Sequence, residues 1–492
     1  MFRINPLLES DFYKQVHWNQ YPENTGKVIS YFTPRMTRIP EQQYLIMFGL
    51  QSFIKEFLIE DFNEFFFNRP REEVMAEAAR VLGPTIGLEV SGIERYGQLH
   101  DLGYLPLLIR ALPEGEKVPI GVPMFEISNT HPDFAWLTNA IESVISCEMW
   151  HAMVCANNAY EYRQIVNKWY NISVDDNIPR CKALGDFSMR GQESKRSAYK
   201  SSAAWLLSFA NTATVPAIPY LEHYYNCDAS TELVGLGAVS TEHSVMCSNY
   251  SVDGDEITGI KRLLKLYKNI PFSMVSDSYD YWHLVRDLLP QLKDEIIEHN
   301  AKFLIRGDSG RPTDIVVETV VELDKIFGHS INSKGYKILP PYIGVIYGDG
   351  WSKAGVEEVY SRLTELGYAA NNAVMGVGSM SMQCVGPEGG YGAFTRDTFG
   401  IAIKATHMIT KDGKEYPIFK NPKECSFKKS QKGCCIVYFD PKAMKYTYYD
   451  NQTWLDSITS EIQAFEPVFC NGIMITEYSL KEIRDRLHKG AF

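Results

Sequence analysis

The chain has 492 residues, of which 45% are hydrophobic and 22% charged, a composition typical of a globular protein with room for two or three cores. The net charge is −11, which argues against binding to nucleic acid or to a membrane surface, since both require a basic face. We find neither the apolar core of a signal peptide nor the roughly 18 apolar residues of a membrane helix. The ten cysteines show no metal-ligand spacing. We therefore expect reduced thiols and a cytoplasmic protein.

Three regions of different texture follow one another along the chain. Residues 1–178 are mixed and helix-rich, with helical periodicity over 44–58, 72–82 and 133–156. Residues 179–394 alternate short apolar strands with helical patterns, and residues 395–492 are polar and rich in lysine. These changes predict domain boundaries near residues 178 and 394.

Four short strands of the middle region end in polar, mostly glycine-bearing turns. The strands cover 272–275, 303–305, 342–347 and 373–375, and the turns read SDSYD, RGDSG, GDG and GVGS. Strands alternating with helices predict parallel βα units, and in a barrel of such units the loops after the strands meet at one end. A surface ion pair between Arg306 and Asp308 explains one such turn but not four. We therefore expect the four turns to form one site.

The residue types in these turns indicate a phosphorylated ligand. Glycine turns after strands offer backbone N–H groups to phosphate, and arginine binds phosphate oxygens in a bidentate manner. Aspartate at a strand end accepts from ribose hydroxyls or holds Mg²⁺ brought in by a polyphosphate. Phe187 is a candidate stacking face, and His243 is either a core histidine or a phosphate contact. The lysines after residue 419 are either a solvated loop or the cationic half of a phosphate site. Together these residues predict an enzyme that handles a ribose polyphosphate and a planar ring.

A series of short motifs in one order resembles the nicotinamide phosphoribosyltransferase family of type II phosphoribosyltransferases. The resemblance extends over nearly the whole chain. The motifs that carry it are DFYKQVH (11–17), QYP (20–22), YFTPR (31–35), DFSMRG (186–191), TEHS (241–244), SDSYD (276–280), RGDSG (306–310), GDG (348–350) and TRD (395–397).

The resemblance implies a fold, an activity and an assembly. The fold is an irregular βα barrel with an α+β domain that the amino-terminal and carboxy-terminal segments form together. The activity joins nicotinamide to 5-phosphoribosyl 1-pyrophosphate, giving nicotinamide mononucleotide and pyrophosphate in NAD salvage. Mg²⁺ arrives with the pyrophosphate, and its protein ligands are unknown. ATP acts as a non-essential activator through a phosphohistidine at His243. The assembly is a homodimer with shared active sites.

The resemblance also implies roles for individual residues. Phe187 of one chain and Tyr13 of the other sandwich the pyridine ring. The residues matching the catalytic positions are His243, Asp277, Arg306 and Asp308. The residues matching substrate-binding positions are Tyr13, Arg35, Phe187, Arg190, Ala213, Gly348, Asp349, Gly378, Ser379, Arg396, Lys404, Lys420 and Lys428.

The chain departs from the family pattern in ways that keep alternatives open. Ala213 stands where amide-selective members have an aspartate that accepts from the carboxamide N–H, so nicotinate is an alternative acceptor. Ser379 and Ala402 change the phosphate region, and residues 384–393 look like an insertion beside it. ADP-ribose pyrophosphate, which would give NAD directly, is therefore an alternative donor. A non-catalytic binding protein on the same fold is the third alternative.

Overall fold

The computed structural model describes residues 4–348, 350–385, 392–422 and 430–492. Their strands, in chain order, are β1 (Thr25–Pro34), β2 (Tyr44–Ile46), β3 (Leu107–Ala111), β4 (Lys117–Pro119), β5 (Phe125–Asn129), β6 (Leu184–Asp186), β7 (Asn211–Thr212), β8 (Val239–Ser240), β9 (Phe272–Val275), β10 (Phe303–Gly307), β11 (Ser330–Ile331), β12 (Lys337–Ile338), β13 (Ile343–Tyr347), β14 (Ala373–Val377), β15 (Ile401–Thr410), β16 (Glu415–Pro417), β17 (Cys434–Asp440), β18 (Lys445–Gln452), β19 (Glu466–Cys470) and β20 (Ile473–Met474).

The α-helices are α1 (Leu50–Phe53), α2 (Arg71–Ile86), α3 (Leu88–Ser91), α4 (Glu94–Leu102), α5 (Leu137–Ala140), α6 (Glu142–Ser173), α7 (Lys195–Trp205), α8 (Ala217–Tyr224), α9 (His243–Asp253), α10 (Glu256–Leu266), α11 (Tyr281–His283), α12 (Leu289–Gln291), α13 (Lys293–His299), α14 (Pro312–Phe327), α15 (Lys353–Glu365), α16 (Met380–Gln383), α17 (Trp454–Thr459) and α18 (Leu480–His488). Segments of 3₁₀-helix cover Pro6–Leu8, Phe12–Asn19, Pro132–Phe134, Arg180–Lys182, Met189–Gly191, Ala370–Asn372 and Arg396–Thr398, and π-helix covers Ile54–Asp61, Asn63–Phe67 and Leu284–Leu288. In the part of the chain that the structure describes, none of the helices combines the length and the apolar character needed to cross a membrane.

The chain divides into two compact units. Unit 1 comprises Met1–Val154, His223–Asn226 and Phe394–Leu487, and unit 2 comprises Cys155–Glu222, Cys227–Ala393 and His488–Phe492. The sequence placed residues 155–178 in the amino-terminal domain, whereas they belong to unit 2.

Unit 1 is built on an antiparallel sheet with the order β16-β15-β1-β5-β3-β19-β20. β1 pairs with β15 along nearly its whole length, and this pairing sets Tyr31 opposite Lys404. Because all but one residue of β1 are buried, the strand lies in the middle of the unit's core. The two ends of the chain thus share one sheet, which confirms the predicted α+β domain formed by the amino-terminal and carboxy-terminal segments.

Two helices predicted in this unit differ from the structure. Residues 44–46 form β2, which pairs with β4, and the helix begins only at Leu50. Gly49, at φ +96°, separates the strand from the helix, because a helix cannot continue through a residue with positive φ. Before it, pairing with β4 overrides the local helical periodicity. The predicted helix over 133–156 is also interrupted, since a 3₁₀ turn and α5 precede α6.

Unit 2 contains a parallel sheet in the order β7-β6-β14-β13-β10-β9-β8. Residues 236–240 contact both edges of the sheet. Leu236 forms a bridge with Asn211 of β7, and Val239, three residues later in β8, pairs with Phe272 of β9. The sheet therefore curls round on itself. Helices lie between successive strands, as the alternating pattern predicts, which confirms the irregular βα barrel.

The predicted strands and turns of this barrel are nearly correct in their bounds. β9 and β13 are buried along their whole length, which explains why both read as unbroken apolar runs. In β10, Leu304 and Arg306 alternate with fully buried neighbours and share one face of the strand. Since all strands of the sheet run parallel, the turns that follow them gather at their carboxyl ends.

Candidate active site

Arg306, near the end of β10, is held by three hydrogen bonds at the barrel's carboxyl end. Its Nη1 donates to Ser240 Oγ at 2.9 Å and to the Thr241 carbonyl at 3.3 Å. Its Nη2 lies 3.4 Å from Asp308 Oδ2. The side chain is only 15% exposed, so the guanidinium is oriented before any ligand binds.

His243, the first residue of α9, completes a compact cluster with two aspartates. Its Nδ1 lies 3.1 Å from Ser278 Oγ. Its Nε2 lies 3.8 Å from Asp277 Oδ1 and 3.9 Å from Asp308 Oδ2, and the imidazole is 48% exposed. Asp277 Oδ1 is buried and accepts no hydrogen bond from the described residues. The four residues predicted as catalytic are thus brought together, with an acceptor left open for a ligand.

Gly348, directly after β13, closes one side of this cluster. A Cβ placed on Gly348 would overlap Asp308 Oδ1, so only glycine allows the carboxylate to lie against this turn. Asp349, the next predicted residue, lies outside the described residues.

Phe187 follows β6 and lies beside the glycine turns. Its backbone N–H donates to the Val377 carbonyl at 2.8 Å, which fixes the residue to the end of β14. The ring lies against Gly376 and Gly185, where an added Cβ would come within 2.5 Å and 3.3 Å of ring carbons. The side chain is half-buried, so part of the ring stays open for a flat ligand.

Asp186 is buried directly before Phe187 and organises the turn that carries Ala213. Its Oδ1 accepts from the Ser188 N–H at 2.9 Å, and its Oδ2 accepts from the hydroxyls of Thr212 and Thr214 at 2.7 and 3.1 Å. Both threonines are buried, whereas Ala213 between them is exposed. The position that lacks the family's aspartate therefore faces outward on a rigid turn.

The remaining predicted barrel residues lie on adjacent turns. Arg190 is exposed in the 3₁₀ turn after Phe187. Ser379 Oγ packs against Gly191, where an added Cβ would overlap it, and Gly378 is buried at the end of β14.

The ends of residues 384–393, the segment predicted to be an insertion, are paired. Cys384 forms an antiparallel bridge with Ala393, and the Val385 N–H donates to the Gly392 carbonyl at 3.2 Å. Residues 386–391 lie outside the described residues.

In unit 1, Tyr13 and Arg396 line one cleft of about 470 Å³. Tyr13 is 57% exposed, and partial burial together with the carboxylates of Glu142 and Asp11 raises its pKa. Arg35 donates from Nε to the Gly400 carbonyl at 3.1 Å. Burial and the nearby Arg396 charge lower the pKa of Arg35. Two predicted guanidinium groups are thus close enough to repel each other, which favours an anion near them.

Glu142 gathers two lysines in the same unit. Lys404 Nζ lies 3.3 Å from its Oε1, and Lys14 forms a closer ion pair with its other oxygen. Lys420 is exposed and pairs through its backbone with Ser430, and Lys428 lies outside the described residues. Of the predicted unit 1 residues that the structure describes, only Tyr13 and Arg396 line the cleft, and its other charged lining residues are the carboxylates Glu9, Asp11, Glu142 and Glu148. Arg35, Lys404 and Lys420 are not among the described residues that line it.

The sequence did not assign roles to several residues of the site. Asp186 and Ser278 lie within quoted motifs, and Gly376 opens the GVGS turn, so their positions at strand ends were a usable signal. Glu142 has no local motif, and only the folded structure connects it to the lysines. Within the described ranges there is no group of three or more His, Cys, Asp or Glu suited to hold a metal ion.

The chain is similar to known proteins along its whole length. Residues 182–454 match the nicotinate phosphoribosyltransferase (NAPRTase) family, and residues 5–64 match the amino-terminal domain of nicotinamide phosphoribosyltransferase. The nicotinamide phosphoribosyltransferase of Acinetobacter baylyi is 36% identical over 99% of this chain and 97% of the relative. That of Xanthomonas campestris pv. campestris is 30% identical over 98% of this chain and 97% of the relative.

Two solved structures share the fold. A nicotinate-nucleotide pyrophosphorylase from Pyrococcus furiosus superimposes with a TM-score of 0.60 at 14% identity, covering 99% of this chain and 96% of that one. Human nicotinic acid phosphoribosyltransferase gives a TM-score of 0.51 at 14% identity, covering 98% of this chain and 93% of that one. At this identity the likeness describes the fold alone.

Proposed function

This chain belongs to the family of nicotinamide and nicotinate phosphoribosyltransferases, and we propose that it joins nicotinamide to 5-phosphoribosyl 1-pyrophosphate. The products are nicotinamide mononucleotide and pyrophosphate, a step of NAD salvage. The proposal rests on the closeness of Phe187, the proposed face for the pyridine ring, to the Gly348 turn beside Asp308, the proposed ribose contact. The partly open Phe187 ring meets Gly376, and the same glycine lies against the Gly348 turn that packs on Asp308.

The reaction needs positioning and charge more than covalent help. The bond between ribose C1 and the pyrophosphate oxygen breaks, and its electron pair leaves with pyrophosphate. The pyridine nitrogen donates its lone pair to C1, so no proton has to be transferred. Positive charge on the ribose is stabilised by the carboxylates of Asp277 and Asp308, and Arg306 binds the departing anion. Phe187 holds the pyridine ring in the plane required for attack.

The carboxylates also fit a role with Mg²⁺, a cation that prefers oxygen ligands. Asp277 Oδ1 is a buried acceptor without a hydrogen-bond partner among the described residues, and Asp308 Oδ2 lies 3.9 Å from the same His243 nitrogen that Asp277 Oδ1 approaches to 3.8 Å. These two residues would hold the ion together with the pyrophosphate. When bound, Mg²⁺ neutralises part of the leaving group's charge.

We propose a homodimer in which unit 1 of one chain completes the site of the other. Tyr13 presents an exposed ring that can stack on a pyridine bound to the barrel of the other subunit. The Arg35 and Arg396 guanidinium groups lie close enough to repel each other, so the pair suits a phosphate of that subunit's donor. Co-expression of Phe187→Ala and Arg396→Ala chains with two affinity tags tests this arrangement. A purified heterodimer keeps one intact shared site and should show about half of wild-type activity. If each site uses one chain only, the heterodimer stays inactive.

We propose that the enzyme works in the cytoplasm and that ATP activates it through His243. Cys434 and Cys435 are adjacent and buried, yet they form no disulfide, as expected in a reducing compartment. The His243 imidazole is half-exposed, which leaves room for the γ-phosphoryl group of ATP to reach it.

Turnover and binding separate this proposal from a binding protein on the same fold. Purified protein given nicotinamide, 5-phosphoribosyl 1-pyrophosphate and Mg²⁺ should release nicotinamide mononucleotide and pyrophosphate in equal amounts. Phe187→Ala should lower kcat/KM by about tenfold to a hundredfold, since aromatic stacking contributes about 1–3 kcal/mol. Ligand binding without turnover by the wild-type protein would contradict the proposal.

A further inference from the structure

Gly376 lies between the Phe187 ring and the carbonyl of Gly348. Gly376 belongs to β14, and it pairs with Gly185 of β6. A Cβ at Gly376 would lie 2.5 Å from Phe187 Cε2, closer still to Cδ2, and 2.8 Å from the Gly348 carbonyl oxygen. Real Cβ atoms essentially never come this near to other heavy atoms, so no other residue fits here without displacing one of these neighbours.

We propose that Gly376 is a positioning residue. It sets the distance between the Phe187 ring, on which nicotinamide stacks, and the turn at Gly348, beside which the donor binds. The inference rests on the proposed function, because it concerns the same two substrates. Gly376 makes no bond with either substrate. It acts by having no side chain, which lets the Phe187 ring and the Gly348 carbonyl approach the end of β14 from two sides.

The backbone around Gly376 cannot easily move away from an added methyl group. Hydrogen bonds connect β14 to β6 on one side and to β13 on the other, and the Phe187 N–H is bonded to the next residue, Val377. The strain must therefore shift the Phe187 ring, the Gly348 turn, or both. A shift of the ring moves the pyridine relative to ribose C1. A shift of the turn moves the Asp308 carboxylate that packs on it.

The glycines of the barrel provide a graded set of variants. At Gly185 an added Cβ would lie 3.3 Å from Phe187 Cε1, so the ring has to yield by only a few tenths of an ångström. At Gly344, on β13, an added Cβ would meet the Lys302 side chain at 2.7 Å and Leu304 Cδ2 at 3.0 Å. Gly344→Ala thus crowds the same sheet away from Phe187 and serves as the matched control.

Steady-state kinetics of the three alanine variants test the inference. We expect Gly376→Ala to lower kcat/KM for nicotinamide by up to about a hundredfold, as a displacement of about 1 Å between reacting groups can do. Gly185→Ala should have a smaller effect, and Gly344→Ala should stay close to the wild type. Thermal unfolding of each variant shows whether a loss of folding accounts for the loss of rate. Equal effects of Gly376→Ala and Gly344→Ala on kcat/KM would overturn the inference.

A double-mutant cycle with Phe187→Leu separates positioning from general damage. If Gly376 acts through the ring, Gly376→Ala should raise the KM for nicotinamide strongly with Phe187 present and much less with leucine there. Equal effects in both backgrounds would contradict the inference even if the protein folds normally. If the wild-type protein forms no nicotinamide mononucleotide at all, the proposed function fails instead, and the two failures are distinguishable.

Discussion

Replacing Asp186 by asparagine tests what holds the turn at residues 212–214, which carries Ala213. The carboxylate accepts three hydrogen bonds, from the Ser188 N–H and from the hydroxyls of Thr212 and Thr214. An asparagine has one oxygen. If the oxygen faces Ser188, the amide NH₂ group faces both hydroxyls, and if it is flipped, the Ser188 N–H loses its acceptor. Either orientation removes at least one hydrogen bond to a charged, buried group.

The expected loss in the free energy of unfolding equals the contribution of one or two such hydrogen bonds. A hydrogen bond to a charged group contributes about 1.5–3 kcal/mol, so Asp186→Asn should lower the free energy of unfolding by about 2–4 kcal/mol. Because the same bonds fix the turn around Ala213, the KM for nicotinamide should rise as well. Urea denaturation and steady-state kinetics measure the two effects. An unfolding free energy within 0.5 kcal/mol of the wild type, with an unchanged KM, would refute this account of the turn.

Three further predictions concern charge. Burial raises the pKa of the Glu114 carboxyl from 4.5 to about 7, so the folded state binds its proton more tightly than the unfolded chain does. Stability should therefore be lost as pH rises from about 5 through about 7, by about 3 kcal/mol at pH 8, and Glu114→Gln should flatten this slope in urea titrations. His243→Ala should reduce the ratio of rates with and without ATP to one, whatever rate remains, and a ratio that persists would exclude a phosphohistidine there. Ala213→Asp should increase the preference for nicotinamide over nicotinate by about tenfold to a hundredfold in competition assays, because the new carboxylate accepts from the amide and repels an acid. An unchanged preference would mean that residue 213 does not face the acceptor.

The barrel end of the site was largely predictable from the sequence. Strands such as β9 and β13 are buried on both faces, so they read as short apolar runs, and parallel connections require their polar turns to meet. That is why the turns that carry Asp277, Arg306 and Asp308 could be predicted to lie together from the pattern alone, whereas the place of His243 beside them came from the family resemblance. The contact between Gly376 and Phe187 could not be predicted, because the approach of two strand ends depends on sheet register.

The predictions in unit 1 were weaker for a related reason. Residues 44–58 have helical periodicity, but pairing of residues 44–46 with β4 decides the local structure there. The salt bridges from Glu142 to Lys14 and Lys404 join residues far apart in the chain. Long-range pairs of this kind leave no local pattern in a single sequence.

Competition between substrates, followed by mass spectrometry of the products, tests the central claim most directly. The protein with Mg²⁺ would receive nicotinamide and nicotinate in equal amounts, with either 5-phosphoribosyl 1-pyrophosphate or ADP-ribose pyrophosphate as donor. We predict that nicotinamide mononucleotide from the phosphoribosyl donor is the main product. Nicotinate mononucleotide as the main product, or NAD formed only from the adenylated donor, would contradict the account.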